Sequence, residues 1–222
     1  MPTPNYLTII GNIGSGKSTA MPLLLKALDA QPLYADDLFQ TLDPFRDLYL
    51  QDVPRWAFTN ELWLTYERSK MIQKYSIEHD KGQNPENQGK LVLVDSGLLM
   101  SWVYTHSHLL VQNISLPEWE LYEQLFDSFA SEYISRSCVV RLRYSLPTLL
   151  ARIKKRGRDY ELAFYTKEYL EQLELGLVAL EKKLVQMGIP VIVIDESQVA
   201  DFEQNSADAR ILIDKVQSIV TS

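Results

Sequence analysis

The chain has 222 residues, of which 46% are hydrophobic, and its formal net charge at pH 7 is −7. This length can bury a sizeable core, and we expect residues 1–222 to form a single domain. The negative charge argues against non-specific binding to nucleic acid or to an acidic membrane, since both require a basic surface.

The expected compartment follows from the cysteine content and from the absence of long apolar runs. Cys138 is the single cysteine, so an internal disulfide is excluded, and its apolar surroundings predict a small core residue in a strand. The sequence contains neither a membrane-spanning run of about 18 residues nor a signal-peptide pattern. We therefore expect a cytoplasmic protein.

Short apolar runs alternate with longer helical patterns, which indicates βαβ units and a parallel sheet. The predicted strands cover residues 6–10, 32–35, 91–94, 138–142 and 190–194. The predicted helices cover residues 17–28, 54–78, 116–134, 147–155, 167–187 and 206–220, and residues 80–90 read as a surface loop. The fold class that follows is α/β, with three layers and a five-stranded parallel sheet.

A glycine-rich loop separates the first strand from the first helix. It reads Gly11-Asn12-Ile13-Gly14-Ser15-Gly16-Lys17-Ser18-Thr19 and satisfies the pattern G-x-x-x-x-G-K-[ST]. Without side chains at the glycines, successive backbone N–H groups can turn toward phosphate oxygens, and the helix dipole adds to this anion site. The loop predicts binding of a nucleotide triphosphate, with Lys17 reaching the β- and γ-phosphates and Ser18 holding Mg²⁺.

Acidic residues follow two further strands of the predicted sheet. Asp36 and Asp37 come after the second strand, and Asp95 comes after the third. Ligands of open parallel sheets bind beyond the carboxyl ends of the strands, so these acids are expected in one crevice with the glycine loop. Each acid could alternatively cap the helix that follows it.

Two arginines flank a glycine in a break between helical patterns. Arg156 and Arg158 can fold over a triphosphate and stabilise the charge that develops on the transferring phosphoryl group. The planar guanidinium, with several donors, suits phosphate better than an ammonium does. The alternative is a solvated basic helix end that complements the helix dipole.

Four stretches together resemble the deoxynucleoside kinase family over nearly the whole chain. They are the glycine loop, the segment from Asp43-Pro44-Phe45 to Arg55-Trp56-Ala57-Phe58, the strand that ends in Asp95, and RIKKRGRDYE at 152–161. The resemblance implies a P-loop kinase fold with an arginine lid at about 152–166. It also implies transfer of the γ-phosphoryl group of ATP to the 5′-hydroxyl of a deoxynucleoside, Mg²⁺, and a homodimer formed through helices that flank the sheet.

The resemblance also implies roles for particular residues. It places the general base, which takes the hydroxyl proton, at Asp36 or Asp37, and it assigns Mg²⁺ to Asp95 together with Ser18. Arg152 belongs to the lid stretch and is assigned to the nucleotide. Tyr49 and Glu161 are assigned to the sugar 3′-hydroxyl, and Trp56 and Glu61 to the substrate.

The chain departs from the family pattern at two positions. Ser96 follows Asp95 where the family has arginine, and Glu61 stands five residues after Trp56 where the family has a glutamine that reads the base. An ionised carboxylate only accepts hydrogen bonds, so it favours a partner with two donors, such as the N1–H and N2–H₂ groups of guanine. We therefore expect a divergent member of the deoxyadenosine and deoxyguanosine kinase type with a purine preference.

Two other functions remain open at this point. The first is another small-molecule P-loop kinase that acts on a nucleoside monophosphate or another alcohol. The second is a kinase-like protein that binds nucleotide without catalysis, because the arginine after Asp95 is absent.

Three further groups of residues are interpreted as structural. Trp119, Tyr122 and Phe126 recur at helical spacing and predict a core or interface stripe. Arg68 is read as an ordinary helix position, and His106 and His108 as part of a loop or a frayed helix end.

Overall fold

The computed structural model of the protein describes residues 5–34, 43–80, 89–158, 164–203 and 205–220, without the side chains of residues 77–80. In chain order its elements are β1 (Tyr6–Gly11), α1 (Lys17–Leu28), β2 (Gln31–Tyr34), α2 (Arg46–Gln51), α3 (Val53–Asp80), β3 (Val92–Asp95), α4 (Gly97–Leu110), α5 (Leu116–Ser135), β4 (Ser137–Arg143), α6 (Leu146–Arg156), α7 (Lys167–Gln186), β5 (Val191–Asp195) and α8 (Ser206–Val220).

The five strands form one sheet in the order β2-β3-β1-β4-β5, and all four neighbouring pairs are parallel. Side chains alternate between the two faces of the sheet, as a period of two requires. On β1, Leu7 and Ile9 pack against α1, α6 and α8, whereas Tyr6 and Ile10 pack against α3, α4, α5 and α7. The predicted three-layer α/β fold with a five-stranded parallel sheet is confirmed.

The predicted interior residues lie in the interior. Cys138 is fully buried in β4, where burial raises the pKa of its thiol to about 12. Tyr122 and Phe126 are fully buried, and Trp119 packs at the edge of the same cluster. Among the described helices, none is both long enough and apolar enough to cross a lipid bilayer.

One long helix was absent from the predicted set. Residues 97–110 form α4, so the interpretation of His106 and His108 as a loop or frayed end is wrong. The sequence hides this helix because ten of its fourteen residues are buried, on all sides, which leaves no polar face to produce a helical period. The short helix α2 was missed as well; it has no buried residue.

A charged group also lies inside the sheet–helix interface. Arg141 on β4 is 1% exposed and makes ion pairs with Glu174 and Glu181 of α7. The two glutamates are seven residues apart and therefore share one face of the helix. On the same strand, exposed Arg143 pairs with Asp195 at 3.2 Å.

These two arginines form a matched pair for a stability test. Arg141→Met leaves Glu174 and Glu181 facing each other without a cation, and we expect it to lower the free energy of unfolding by about 3 kcal/mol. Arg143→Met removes a solvent-screened pair and should cost less than about 1 kcal/mol. Urea denaturation of both variants measures the difference, and equal losses would contradict the assignment of Arg141 to the interior.

Candidate active site

The carboxyl ends of the central strands meet at one edge of the sheet. Asp95, the last residue of β3, is in register with Ile9 of β1 and with Tyr34, the last residue of β2. The glycine loop leaves β1 at this level. Asp36 and Asp37 follow Tyr34 closely in the chain but lie outside the described residues.

The loop conformation requires glycine at two positions. Gly14 and Gly16 have φ angles of 81° and 93°, which side-chain-bearing residues rarely adopt. A Cβ atom on Gly16 would also lie 2.7 Å from Cζ of Phe202. Gly16 immediately precedes α1, so the first N–H groups of that helix and its dipole face the loop.

Polar side chains hold the loop together. Lys17 Nζ donates to the carbonyl oxygens of Gly11 and Asn12, at 2.9 and 3.3 Å. The Asn12 side chain accepts from the N–H of Ile13 and donates to the carbonyl oxygen of Leu170 at 2.8 Å. The loop is thus tied to the first turn of α7.

Beside the loop lies a pocket of about 320 Å³. Its lining combines the glycine loop with the end of α6 and with the segment before α8, namely Gly14, Gly16, Thr19, Arg152, Lys155, Arg156, Asp201, Phe202 and Glu203. The Phe202 ring suits the base of a nucleotide and the three basic side chains suit its phosphates, whereas Asp201 and Glu203 make one wall of the pocket acidic. Sequence reasoning missed residues 201–203, because no local sequence pattern identifies a segment that lines a pocket only in the folded protein.

Arg152 lies against the glycine loop. Its Nη1 donates to the carbonyl oxygens of Gly14 and Ser15, both at 3.4 Å, and its Nη2 donates to that of Ala200. The guanidinium also stands 4.0 Å above the ring of Tyr144. These contacts fix Arg152 on the wall of the pocket.

The remaining lid residues are described in part. Arg156 ends α6, and Gly157, with a φ angle of 67°, caps the helix by donating to Ile153. Arg158 is exposed just beyond this cap. Residues 152–156 of the predicted lid are therefore helical, whereas Glu161 lies outside the described residues.

Asp95 and Ser18 supply the oxygen atoms that were predicted to hold Mg²⁺. Asp95 is 8% exposed, and its Oδ1 accepts from Ser96 Oγ at 3.2 Å. Ser18 is exposed at the start of α1, and the loop joins that helix to β1 beside Asp95. A carboxylate and a hydroxyl fit Mg²⁺, which binds oxygen and keeps several of its waters.

Ser96 itself adopts a strained conformation. Its φ and ψ angles are 59° and −63°, and its N–H donates to the carbonyl oxygen of Ile9 at 3.0 Å. This bond links the turn after β3 to β1. The small Ser96 side chain stays beside Asp95 rather than extending across the edge of the sheet.

Glu61 lies in α3 and is 5% exposed. Its Oε1 lies 3.9 Å from Nε2 of His108, which is 3.2 Å from the hydroxyl of Tyr49. Its Oε2 is buried and makes no hydrogen bond of good geometry within the described part of the chain, although the buried Asn60 amide lies close enough to lower the pKa of the carboxyl group. A buried acceptor left in this state costs free energy, which a ligand with a donor would recover.

Arg68 is the charged partner that sequence reasoning overlooked. It is a helix position, as interpreted, but it is 3% exposed and donates from Nη1 to Ser101 Oγ at 2.7 Å. Glu61, Thr65 and Arg68 follow each other at intervals of four and three residues, so they lie on one face of α3. That spacing was the signal in the sequence that could have found Arg68.

Burial dominates the electrostatics of these residues, which we call the Glu61 cluster: Glu61, Arg68, His108 and Tyr49. It raises the pKa of Glu61 to about 7, although the Arg68 guanidinium opposes the rise. Burial likewise lowers the pKa of His108 to about 4, so the imidazole is neutral at pH 7. Asn113 Nδ2 lies 3.0 Å from His108 Nδ1; with the amide donating, the ring carries its proton on Nε2, toward Tyr49 and Glu61.

Two aromatic rings mark the entrance to α3. Trp56 is half-buried and stacks on Phe45 at a centroid distance of 6.2 Å, with the exposed guanidinium of Arg55 5.0 Å from its ring. The N–H of Phe45 donates to Asp43 Oδ1 at 2.8 Å. Trp56 thus packs the segment 43–45 onto the helix that carries Glu61.

The first turn of α7 joins the glycine loop to the Glu61 cluster. Leu170 accepts from Asn12 of the loop, while the buried hydroxyl of the adjacent Tyr169 lies within electrostatic range of Glu61 and Tyr49. The start of α7 thus contacts the glycine loop on one side and lies near the buried Glu61 carboxylate on the other. This arrangement can place a phosphate donor opposite a small polar acceptor.

Comparison with known proteins agrees with this geometry. Residues 7–221 match the sequence profile of the family described as Deoxynucleoside kinase. The deoxyguanosine kinase of Bacillus subtilis is 24% identical over 222 residues, which cover 99% of this chain and 100% of the relative. The deoxyadenosine/deoxycytidine kinase of the same organism is 26% identical over 175 residues, which cover 78% and 75%.

A solved structure shares the fold. The deoxyadenosine kinase from M. mycoides with bound dCTP superposes with a TM-score of 0.71 at 22% identity, covering 96% of this chain and 99% of that chain. Because the family profile spans nearly the whole sequence, this chain belongs to the deoxynucleoside kinase family, phosphotransferases that use a nucleotide phosphate donor and a hydroxyl acceptor.

Proposed function

We propose that this protein transfers the γ-phosphoryl group of ATP to the 5′-hydroxyl of a purine deoxynucleoside in the presence of Mg²⁺. The observation that carries the proposal is the buried Glu61 carboxylate, whose Oε2 has no hydrogen-bond partner among the described residues. The names of the relatives, deoxyguanosine kinase in Bacillus subtilis and in Lactobacillus acidophilus, support a purine.

The donor half of the site binds the triphosphate. The loop from Gly11 to Thr19 wraps the phosphates, and Arg152 and Phe202 line the space for the adenine base. Lys17 leaves its carbonyl partners for the β- and γ-phosphates. Arg156 and Arg158 close over the γ-phosphoryl group and stabilise the charge that spreads onto its oxygens.

The acceptor half binds the nucleoside. Glu61 accepts hydrogen bonds from the base, and Trp56 packs the segment that borders it. Tyr49 and Glu161 bind the sugar 3′-hydroxyl. Tyr49 is suited to this role because its hydroxyl already lies within hydrogen-bond distance of His108 in the Glu61 cluster.

The chemical step is an in-line displacement. Asp36 or Asp37 accepts the proton of the 5′-hydroxyl while the 5′ oxygen bonds to the γ-phosphorus. The bond from that phosphorus to the β–γ bridging oxygen breaks at the same time. Ser18 and Asp95 would hold Mg²⁺, and the bound ion would neutralise charge at the phosphates. Lys17 and the two lid arginines stabilise the charge that develops on the leaving ADP.

We also propose a homodimer formed through α3 and α5, the helices at one side of the sheet. Tyr66 and Leu121, on these two helices, are each about half exposed, and the Tyr66 ring contacts Phe129 of α5. Sedimentation velocity should give about twice the chain mass of 25.6 kDa. A monomer at micromolar concentration would contradict this proposal.

The role of Lys17 is tested by a single substitution. Lys17→Met removes the ammonium that contacts the phosphates and should lower the rate of ATP consumption about 10²- to 10³-fold. The control is Lys26→Met, in the exposed last turn of the same helix. This variant should keep the parental rate. An equal loss of rate in both variants would contradict a specific role of Lys17 and would point to a loss of structure in α1.

Substrate class is tested with a panel of acceptors. With ATP and Mg²⁺ we expect phosphorylation of 2′-deoxyguanosine at the 5′ position and little reaction with thymidine. Separation and identification of the nucleotide products measures both reactions. Dominant thymidine turnover would contradict the role of Glu61. Turnover of dGMP alone, or nucleotide binding without turnover of any acceptor, would contradict the proposed function.

A further inference from the structure

We propose that Glu61 determines base specificity in two protonation states, so that the preference of the enzyme between purines changes with pH. The ionised carboxylate takes a guanine-type edge, whereas the protonated carboxyl also takes an adenine-type edge. This inference rests on the proposed function and goes beyond it, because it makes substrate choice depend on a single proton.

The geometry leaves both Glu61 oxygens for the ligand, because Oε1 lies 3.9 Å from Nε2 of His108, beyond hydrogen-bond distance. Oε2 is the buried atom without a hydrogen-bond partner in the described residues. The side chain is 5% exposed, so little water competes with a ligand at Oε2. A bound base can satisfy it, in competition with the buried amide of the neighbouring Asn60, whose nitrogen also has no partner among the described residues.

The two forms of a carboxyl group offer different hydrogen bonds. An ionised carboxylate only accepts, which matches the adjacent N1–H and N2–H₂ donors of guanine. It repels adenine, whose N1 is itself an acceptor. The protonated group donates one bond and accepts another, which matches N1 and N6–H₂ of adenine and also O6 and N1–H of guanine.

Six charged or titratable groups face Glu61, and burial raises the pKa of one of them, Asp43, above its ordinary value. Those that face it come from its own helix, from the segment before α2, and from α2, α4, α5 and α7; they are Arg68, Asp43, Tyr49, His108, Tyr122 and Tyr169. Arg68 contributes the positive charge of a guanidinium. The pKa values of the three tyrosines are raised and that of His108 is lowered to about 4, all by burial.

The direction of the pH effect follows from the sign of the shift. Burial raises the pKa of Glu61 to about 7, with the Asp43 carboxylate adding to the rise and Arg68 opposing it. Below that pH the carboxyl is protonated, and the site binds both guanine and adenine nucleosides. Above it the group is ionised, so the use of adenine nucleosides declines while the use of guanine nucleosides persists.

The experiment is a competition between 2′-deoxyguanosine and 2′-deoxyadenosine at saturating ATP, from about pH 5.5 to about pH 8.5. The product ratio reports the ratio of the two kcat/KM values, so pH effects common to both substrates cancel. We expect the guanine-to-adenine ratio to rise about tenfold or more across this range, because a hydrogen bond becomes a repulsion.

Two variants control the assignment to Glu61. Glu61→Gln cannot titrate, and its ratio should be independent of pH. Glu67→Gln changes a carboxylate on the same helix that pairs with Lys70, and it should keep the rise of the parent. A flat ratio in the parent, or the same rise in Glu61→Gln, would overturn the inference.

A substrate-side control serves if Glu61→Gln does not fold. In 1-deaza-2′-deoxyadenosine the N1 acceptor is absent, so its use relative to 2′-deoxyguanosine should change little with pH. A rise as large as that for 2′-deoxyadenosine would overturn the inference.

Equilibrium binding separates this inference from the proposed function. The Kd values of both nucleosides should show the same pH-dependent ratio as turnover does. If no acceptor is phosphorylated but the Kd ratio still rises with pH, the proposed function fails and the role of Glu61 stands. If both nucleosides are phosphorylated and both ratios are flat, the role of Glu61 fails and the proposed function stands.

Discussion

The parallel alignment of the strands is the constraint on which the site depends. Because β1, β2 and β3 run in the same direction and in register, the chain must leave all three at one edge, where Asp95 pairs with Ile9 and Tyr34. The glycine loop follows β1 directly. Each crossover then returns over a face of the sheet, so the residues of the site come from segments far apart in sequence.

The sequence predicted those parts of this arrangement that a local sequence pattern indicates. The glycine loop was predicted because its glycines, lysine and flanking elements occupy fixed positions, and the five strands were predicted from their short apolar runs. Helix α4 was not predicted, because it is buried on all sides and its apolar residues show no period. The family and the fold are confirmed, whereas the roles of Asp36, Asp37 and Glu161 stay predictions.

The Glu61 cluster was predicted only in part, for a different reason. Its position after Trp56 singled out Glu61, but the partners His108 and Ser101 lie on α4, and no sequence pattern connects them to α3 before folding. Arg68 was visible as an i+7 neighbour and was read as an ordinary helix position. What a carboxylate does depends on its burial and its neighbours, and those are tertiary properties.

Arg141 pairs in the sheet with Ile10, the residue before the glycine loop, and its ion pairs have a consequence for the position of α7. Apolar side chains tolerate sliding along an interface, whereas a buried cation that must meet two carboxylates fixes one registry. If α7 moved by one turn, about 5.4 Å, Glu174 and Glu181 could not both reach the guanidinium. We infer that this ionic contact sets the axial position of α7, and with it the position of Leu170, which accepts from Asn12 of the glycine loop, and of Tyr169, which lies near Glu61.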